Sequence, residues 1–302
     1  MLKIKRMRIR ANQWMYRIGS YFVLNSIPLL RKASGEGKKQ ITVPNDIQWE
    51  RVTVDGVASE WLSPPNSLPE TVLLYLHGGG GVTGLYNSHR WMVGHIALAC
   101  GIRVLLPDYQ LAPEHPFPAG LNDCVTVYHW LLSNSYAPGR IIVAGDSAGG
   151  LLTISTLLAL RQVNQSLPCA AVCISPAIDP AFAGKSMRTN VWKDSLLSPQ
   201  FARTMMRLYI GDHDLSDPIM APLNADLEGL PQILIQVGGD EILLDDVVHF
   251  SNRAKAAGIN VTLEIWPHMW HVWHTCVSVL PEAKDAIDHI STFIHNILVK
   301  LE

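Results

Sequence analysis

Across residues 140–160 the sequence changes abruptly from a β-branched apolar run to a helical run, and the change takes place within Gly145-Asp-Ser-Ala-Gly149. The run Ile141–Ala144 precedes this motif, and Leu151–Leu160 follows it. A G-x-S-x-G between a strand and a helix is typical of a nucleophile elbow, a sharp turn that strains the serine backbone and leaves no room for a Cβ two residues away. The helix N-terminus would then direct free N–H groups toward groups that react with Ser147. The motif alone also fits an ordinary glycine-rich turn, so its interpretation depends on the rest of the chain.

The rest of the chain alternates between short apolar runs rich in β-formers and helical stretches. Strands that are apolar on both faces and alternate with helices predict an α/β fold with a mostly parallel central sheet flanked by helices. Asp55-Gly56 predicts a β-hairpin between the first two predicted strands. The predicted strands are Ile47–Val54, Val57–Leu62, Val72–Leu76, Ile102–Leu106, Ile141–Ala144, Ala170–Ile174, Ile233–Val237 and Val261–Trp266. The predicted helices are Trp91–Ala99, Leu121–Leu132, Leu151–Leu160, Leu244–Ala257 and Pro281–Leu298.

Two segments depart from this alternation: residues 1–44, and residues 179–222, an insertion rich in Met, Trp and Pro. The remainder, residues 45–302, is predicted to form the main domain. The N-terminal segment is basic at its start, and its apolar residues at helical spacing predict an amphipathic helix that covers part of the fold. Those residues are Trp14, Ile18, Phe22 and Val23. The mostly apolar stretch Gly19–Leu30 is too short to span a bilayer, and no cleavage site for a signal peptide follows it. Contact with a membrane surface is the less favoured alternative.

Charge and cysteine content exclude several classes of function. The formal net charge is −2, which gives no reason to expect a nucleic-acid partner. The five cysteines have no metal-ligand spacing and predict reduced thiols in a cytoplasmic protein. Cys169 and Cys173 lie in one apolar run and are better interpreted as core residues than as metal ligands. We therefore expect neither a metal nor an organic cofactor.

A glycine-rich loop, His77-Gly-Gly-Gly-Gly81, follows the strand Val72–Leu76. Its backbone N–H groups are suited to stabilise the tetrahedral oxyanion of acyl transfer at the carboxyl edge of the sheet. A phosphate-binding loop is the weaker alternative, because no G-x-x-x-x-G-K-[ST] is present. We predict that the oxyanion hole consists of the N–H groups of Gly78, Gly79 and Ala148.

A carboxylate and a histidine are also predicted at this edge. Asp240 is the acidic residue nearest the end of the strand Ile233–Val237, and three histidines, His268, His271 and His274, follow the strand Val261–Trp266. The chain order serine, aspartate, histidine is the order found in α/β hydrolases. The residues alone do not decide between the three histidines.

These motifs, together with Pro107-Asp-Tyr-Gln-Leu-Ala-Pro-Glu-His-Pro-Phe-Pro-Ala119, resemble those of the hormone-sensitive-lipase-like esterases with a GDSAG motif. The resemblance extends from about Val72 to His274. It implies an α/β-hydrolase fold with a helical cap formed by residues 1–44 and 179–222. It also implies that Ser147, Asp240 and His271 form the catalytic triad, and that the substrates are esters with short to medium acyl chains. The triad is expected to stand on the sheet independently of the N-terminal segment.

Three positions depart from the family pattern. Gly81 replaces an aromatic residue, which predicts a wider pocket wall; Gln110 replaces an arginine; and Pro176-Ala177 replaces the usual S-P-W ending. We predict that the substrate contacts residues of the glycine loop and the insertion, namely Gly80, Gly81, Trp192, Met205, Met206 and Tyr209.

Two other classes of function use the same residues. An amidase, peptidase or thioesterase would have the same triad, and a non-catalytic binding protein could retain the fold. The presence of all three triad residue types favours an enzyme. A homodimer is compatible with the sequence.

Overall fold

The computed structural model describes residues 7–15, 17, 26–34 and 40–300. The predicted helical positions Ile18, Phe22 and Val23 lie outside the described residues, whereas Trp14 lies within a helix at residues 7–15 (α1). Among the residues that the structure describes, no helix combines the length and apolar character that a bilayer crossing requires.

An eight-stranded sheet forms the centre of the molecule, with strand order β1-β2-β4-β3-β5-β6-β7-β8. β2 pairs antiparallel with both β1 and β4, whereas every other neighbouring pair is parallel. The strands cover Gln48–Val54 (β1), Val57–Ser63 (β2), Leu68–Leu76 (β3), Ile102–Pro107 (β4), Ile141–Asp146 (β5), Ala170–Ile174 (β6), Gln232–Gly238 (β7) and Val261–Trp266 (β8). The predicted α/β class and mostly parallel sheet are confirmed.

Helices cover both faces of the sheet. Beyond α1, the α-helices of the described residues are Ile27–Ser34 (α2), Asn87–Cys100 (α3), Ala119–Ser133 (α4), Ala148–Gln162 (α5), Ser186–Thr189 (α6), Pro199–Ile210 (α7), Leu244–Ala256 (α8) and Pro281–Val299 (α9). Alternate residues of β3 enter different cores: Val72, Leu74 and Leu76 pack with α4 and α5, and Leu73 and Tyr75 pack with α3 and α9. This alternation follows from the two-residue period of a strand. It explains why the parallel strands are apolar on both faces.

The parallel strands bring their carboxyl ends to one edge of the sheet. Loops after β3, β5, β7 and β8 meet there, and α1 and α7 contribute residues to the cavity at this edge. The α7 residues Met205 and Tyr209 pack directly on Gly80 and Gly81 of the glycine loop. The insertion therefore covers the edge at which sites form in parallel α/β sheets.

Candidate active site

Ser147 occupies a strained turn between β5 and α5. Its backbone angles are φ 55° and ψ −118°, in a region that side-chain-bearing residues rarely adopt. A Cβ at Gly145 would overlap the Gly149 carbonyl, and a Cβ at Gly149 would overlap the Leu76 carbonyl oxygen. The glycines are thus required by close backbone packing, as the motif predicts. The turn exposes the Ser147 hydroxyl to the cavity at the edge of the sheet.

His271 lies in the loop after β8 and reaches Ser147. Its Nε2 is 2.9 Å from Ser147 Oγ, and its Nδ1 is 2.9 Å from Glu241 Oε2. Because an ionised carboxylate only accepts hydrogen bonds, Nδ1 carries the proton of the neutral imidazole. Nε2 then presents its lone pair to the Ser147 hydroxyl. This is the arrangement of a histidine that can remove a proton from serine.

The other two candidate histidines do not contact Ser147. His268 is exposed, and its backbone is in the left-handed region with φ 60°. His274 is fully buried and lies 2.8 Å from Gln236 Oε1. Burial lowers the pKa of His274 to about 3, so its imidazole stays neutral inside the core. Of the three, the structure brings only His271 to the serine.

The carboxylate beside His271 belongs to Glu241, and this corrects the prediction of Asp240. Glu241 is fully buried; its Oε1 accepts hydrogen bonds from Gly238 N and Ser175 Oγ, both at 2.6 Å. Asp240 instead accepts a hydrogen bond from Arg10. The chain turns immediately after β7, so consecutive side chains point in different directions and only the second points into the site. The local sequence does not distinguish the two acids, because the partner of Asp240 is 230 residues away.

Several acidic groups raise the proton affinity of His271. Burial alone would lower its pKa, but the hydrogen bond and charge of Glu241, with smaller contributions from Asp194 and Asp146, raise the pKa above 6.5. Asp194 is itself buried, which raises its pKa to about 6. The imidazolium that forms when Ser147 loses its proton is therefore stabilised by the surrounding charge.

Gly78 does not line the cavity, which corrects its predicted place in the oxyanion hole. Its N–H donates to Asp146 Oδ1 at 3.1 Å, and a Cβ at this position would overlap Asp146 Oδ2. Gly79, Gly80 and Ala148 line the cavity beside Ser147. Their N–H groups donate to no acceptor in the described part of the chain. These three N–H groups are therefore available to an oxyanion.

Asp146 holds the glycine loop against the elbow. It accepts hydrogen bonds from Gly78 N and from Tyr75 Oη, the latter at 2.9 Å, and His89 Nε2 lies 3.6 Å away. Burial alone would raise the pKa of Asp146, but His89 and the Tyr75 hydrogen bond outweigh this effect and lower it. The second residue of G-D-S-A-G thus positions the first glycine of the loop. The motif alone does not predict this role.

The cavity next to Ser147 has a volume of about 520 Å³, in the usual range for small-molecule sites. Of the predicted contact residues, Gly80, Met205, Met206 and Tyr209 line it, whereas Gly81 and Trp192 do not. Trp192 is 81 % exposed and stacks on Trp14. The Tyr209 ring occupies the space that a side chain at Gly81 would need, so the missing aromatic residue does not widen the wall.

The other two departures from the family pattern have local structural partners. Gln110 donates from its backbone N and from Nε2 to the Asp123 carboxylate. Pro176 packs on Gly150, and Ala177 lines the cavity. No three His, Cys, Asp or Glu side chains within the described ranges are grouped so as to hold a metal ion.

Comparison with known proteins agrees with this geometry. The α/β-hydrolase fold family matches residues 73–275. An acetyl-hydrolase of Streptomyces hygroscopicus is 42% identical over 83% of this chain and 82% of its own length. An esterase of Acinetobacter venetianus is 34% identical over 82% of each chain.

Solved structures of esterases superimpose closely on the chain. A mutant esterase matches with a TM-score of 0.91 and 42% identity over 97% of both chains. An esterase of the bacterial hormone-sensitive lipase family matches with a TM-score of 0.86 and 42% identity, over 94% of this chain and 98% of that one. The chain therefore belongs to the α/β-hydrolase fold family, among the esterases of the hormone-sensitive-lipase type.

Proposed function

We propose that this chain hydrolyses carboxylic esters with short to medium acyl chains through an acyl-enzyme on Ser147, with His271 as the base and Glu241 as the triad carboxylate. The observation that carries the proposal is the continuous hydrogen-bonded line from Ser147 Oγ through His271 to Glu241. Ser147 lines a cavity in which, among the described residues, the N–H groups of Gly79, Gly80 and Ala148 donate to no acceptor.

Acylation begins when His271 Nε2 removes the proton from Ser147 and Oγ attacks the ester carbonyl carbon. The carbonyl oxygen becomes an oxyanion, which accepts hydrogen bonds from the N–H groups of Gly79, Gly80 and Ala148. Glu241 keeps the Nδ1 proton in place and stabilises the imidazolium. Because these donors are fixed by the backbone, little reorganisation is needed as charge develops.

Collapse of the tetrahedral intermediate breaks the bond to the alcohol oxygen, and His271 Nε2 transfers its proton to that leaving group. A water molecule then gives a proton to His271 and attacks the acyl-enzyme carbonyl, which forms a second oxyanion in the same place. Its collapse releases the carboxylic acid and returns the proton to Ser147 Oγ. The protein is thus unchanged at the end of the cycle.

The lining of the cavity supports a preference for acyl groups of limited length. Met205 and Met206 of α7 line the cavity together with the aromatic residues Phe182 and Phe201, which add to its apolar wall. An apolar acyl chain gains roughly 0.8 kcal/mol for each methylene buried against such a wall. A chain longer than the cavity leaves methylenes in water and gains nothing further.

Ser147→Ala tests the proposal directly. We expect a folded protein whose kcat on p-nitrophenyl esters of graded chain length falls by a factor on the order of 10⁶. A fluorophosphonate probe should label the wild type at Ser147 and leave the variant unlabelled. Near-normal turnover by the variant would refute the acyl-enzyme.

The same catalytic groups could also hydrolyse amides and thioesters. Substrates that share one acyl group and differ in the leaving group separate these activities. We expect kcat/KM on a p-nitrophenyl ester to exceed that on the anilide of the same acid. Faster cleavage of the anilide would assign the chain to the amidases instead.

We also propose a cytoplasmic location. All five cysteines are free, and burial raises the pKa of the Cys276 thiol. Free thiols in a folded core are typical of reducing compartments. Fractionation of the source cells would test this location, and recovery in the extracellular fraction would refute it.

A further inference from the structure

Arg10, on the N-terminal helix α1, contacts both loops that carry the proposed triad partners of Ser147. Its Nη2 donates to Asp240 Oδ2 at 2.5 Å and to the His268 carbonyl oxygen at 2.7 Å. Its guanidinium carbon also lies 5.5 Å from the centre of the Trp270 ring. Asp240 directly precedes Glu241, and Trp270 directly precedes His271. The Arg10 side chain therefore bridges the loop that carries Glu241 and the loop that carries His271.

The ion pair between Arg10 and Asp240 is partly shielded from solvent. The exposed fraction is 33% for the Arg10 side chain and 13% for the Asp240 side chain. Exposed ion pairs contribute little to stability, but a partly buried, charge-assisted pair with a second hydrogen bond to a carbonyl is stronger and more directional. The two loops are also tied directly, since Asp240 N donates to Met269 O at 3.0 Å.

The same helix forms part of the cavity wall. Ile9, Asn12 and Gln13, which flank Arg10 along α1, line the cavity. Gln13 Oε1 also accepts a hydrogen bond from Ser195 Oγ at 2.6 Å. Asp194, which precedes Ser195, accepts a hydrogen bond at Oδ2 from the backbone N–H of Ile242, and Ile242 directly follows Glu241. Helix α1 thus reaches the Glu241 loop both through Arg10 and through the insertion.

We infer that Arg10 is a positioning residue for hydrolysis: it fixes the loop that carries Glu241 relative to the loop that carries His271, and so couples the N-terminal helix to the triad. The inference rests on the triad proposed above. It assigns to Asp240 the role of anchor for Arg10. It also differs from the expectation that the triad stands on the sheet independently of the N-terminal segment.

Arg10→Met tests this coupling, because methionine keeps an apolar stem and removes the charge and both hydrogen bonds. We expect kcat on p-nitrophenyl acetate to fall by about 10- to 100-fold, the scale of loss when reacting groups are misplaced by about an ångström. The rate of reaction of a small fluorophosphonate with Ser147 should fall in parallel. Arg8→Met is the matched control, since it removes the same charge from an exposed position of the same helix, and it should leave both rates unchanged.

A purely structural role would give a different pattern. If Arg10 only holds α1 against the cavity, Arg10→Met raises KM for longer acyl esters and leaves kcat on acetate and the labelling rate at wild-type values; this result overturns the inference. The exchanged pair Arg10→Asp with Asp240→Arg should recover part of the rate lost in Arg10→Asp alone. No recovery would also count against a direct coupling.

A second variant keeps the test decisive if Arg10→Met does not fold. Asp240→Asn preserves shape and replaces the ion pair with a weaker hydrogen bond from the charged guanidinium to a neutral amide oxygen, so kcat and the labelling rate should fall by about two- to tenfold. Unchanged rates in this variant would overturn the inference. Failure of the triad itself is distinguishable: Glu241→Gln would then stay active, whereas if only the coupling is wrong, Glu241→Gln is inactive and Arg10→Met is normal.

Discussion

Substitution of two adjacent carboxylates by their amides separates the two candidate triad acids. Glu241→Gln and Asp240→Asn each remove one charge without changing the shape of the side chain, and the positions are neighbours in sequence. Glu241 faces His271 Nδ1, whereas Asp240 faces Arg10. We therefore expect Glu241→Gln to lose nearly all activity and Asp240→Asn to retain much of it.

The structure determines how an amide at position 241 would lie. Gly238 N–H and Ser175 Oγ–H both donate to Glu241 Oε1, and Gly238 N–H must keep an acceptor. The glutamine oxygen therefore takes that place, and its NH₂ faces His271 Nδ1. Since NH₂ cannot accept a hydrogen bond, the proton of the neutral imidazole moves to Nε2 and the lone pair no longer faces Ser147. The same change of tautomer in a serine protease triad lowers kcat by about 10⁴, or roughly 5.4 kcal/mol in the barrier.

The assay measures kcat and kcat/KM on p-nitrophenyl acetate for the two variants side by side, with circular dichroism to show that each is folded. We expect a loss on the order of 10⁴ for Glu241→Gln, and a loss of about two- to tenfold for Asp240→Asn. The reverse order of losses would refute the assignment of Glu241 and restore Asp240 as the triad acid. Comparable losses of several orders of magnitude in both would refute the argument from hydrogen-bond direction.

Two further predictions concern the active site, and a third concerns packing of the glycine loop. His271→Ala should lose as much activity as Ser147→Ala, whereas His268→Ala should keep most of its activity because the His268 side chain is exposed. An inactive His268→Ala would contradict the observed loop geometry. The acid limb of the pH profile of kcat/KM should lie above pH 6.5, because the surrounding carboxylates raise the pKa of His271 and only the neutral imidazole is a base; a limb centred well below 6.5 would contradict the proposed base. Gly81→Phe should lower the free energy of unfolding by about 1–3 kcal/mol or more, because its side chain would overlap Tyr209 at a backbone φ of 68°. Adding Tyr209→Ala should recover part of that loss in thermal unfolding, and equal stability of Gly81→Phe and the wild type would contradict the packing argument.

The sequence by itself determined the class of fold and the place of the site within it. Short apolar runs rich in β-formers, such as Ile141–Ala144, alternate with helical stretches, and this pattern is typical of a parallel sheet buried on both sides. The motif around Ser147 requires two glycines for steric reasons that are local to the turn, so it could be interpreted before any tertiary contact was known. Both signals depend on residues that lie close together in the chain.

Only the tertiary structure decided which groups face Ser147. Asp240 and Glu241 are adjacent carboxylates, but Asp240 pairs with Arg10, 230 residues away along the chain, whereas Glu241 faces His271. Gly78 and Gly80 are alike in sequence, but the N–H of Gly78 donates to the distant Asp146, whereas that of Gly80 donates to no acceptor among the described residues. Gly81 similarly depends on Tyr209, whose ring fills the space of the absent side chain. In each case a contact between residues far apart in the chain selects one of two locally equivalent groups, and a pattern of neighbouring residues contains no information about such a contact.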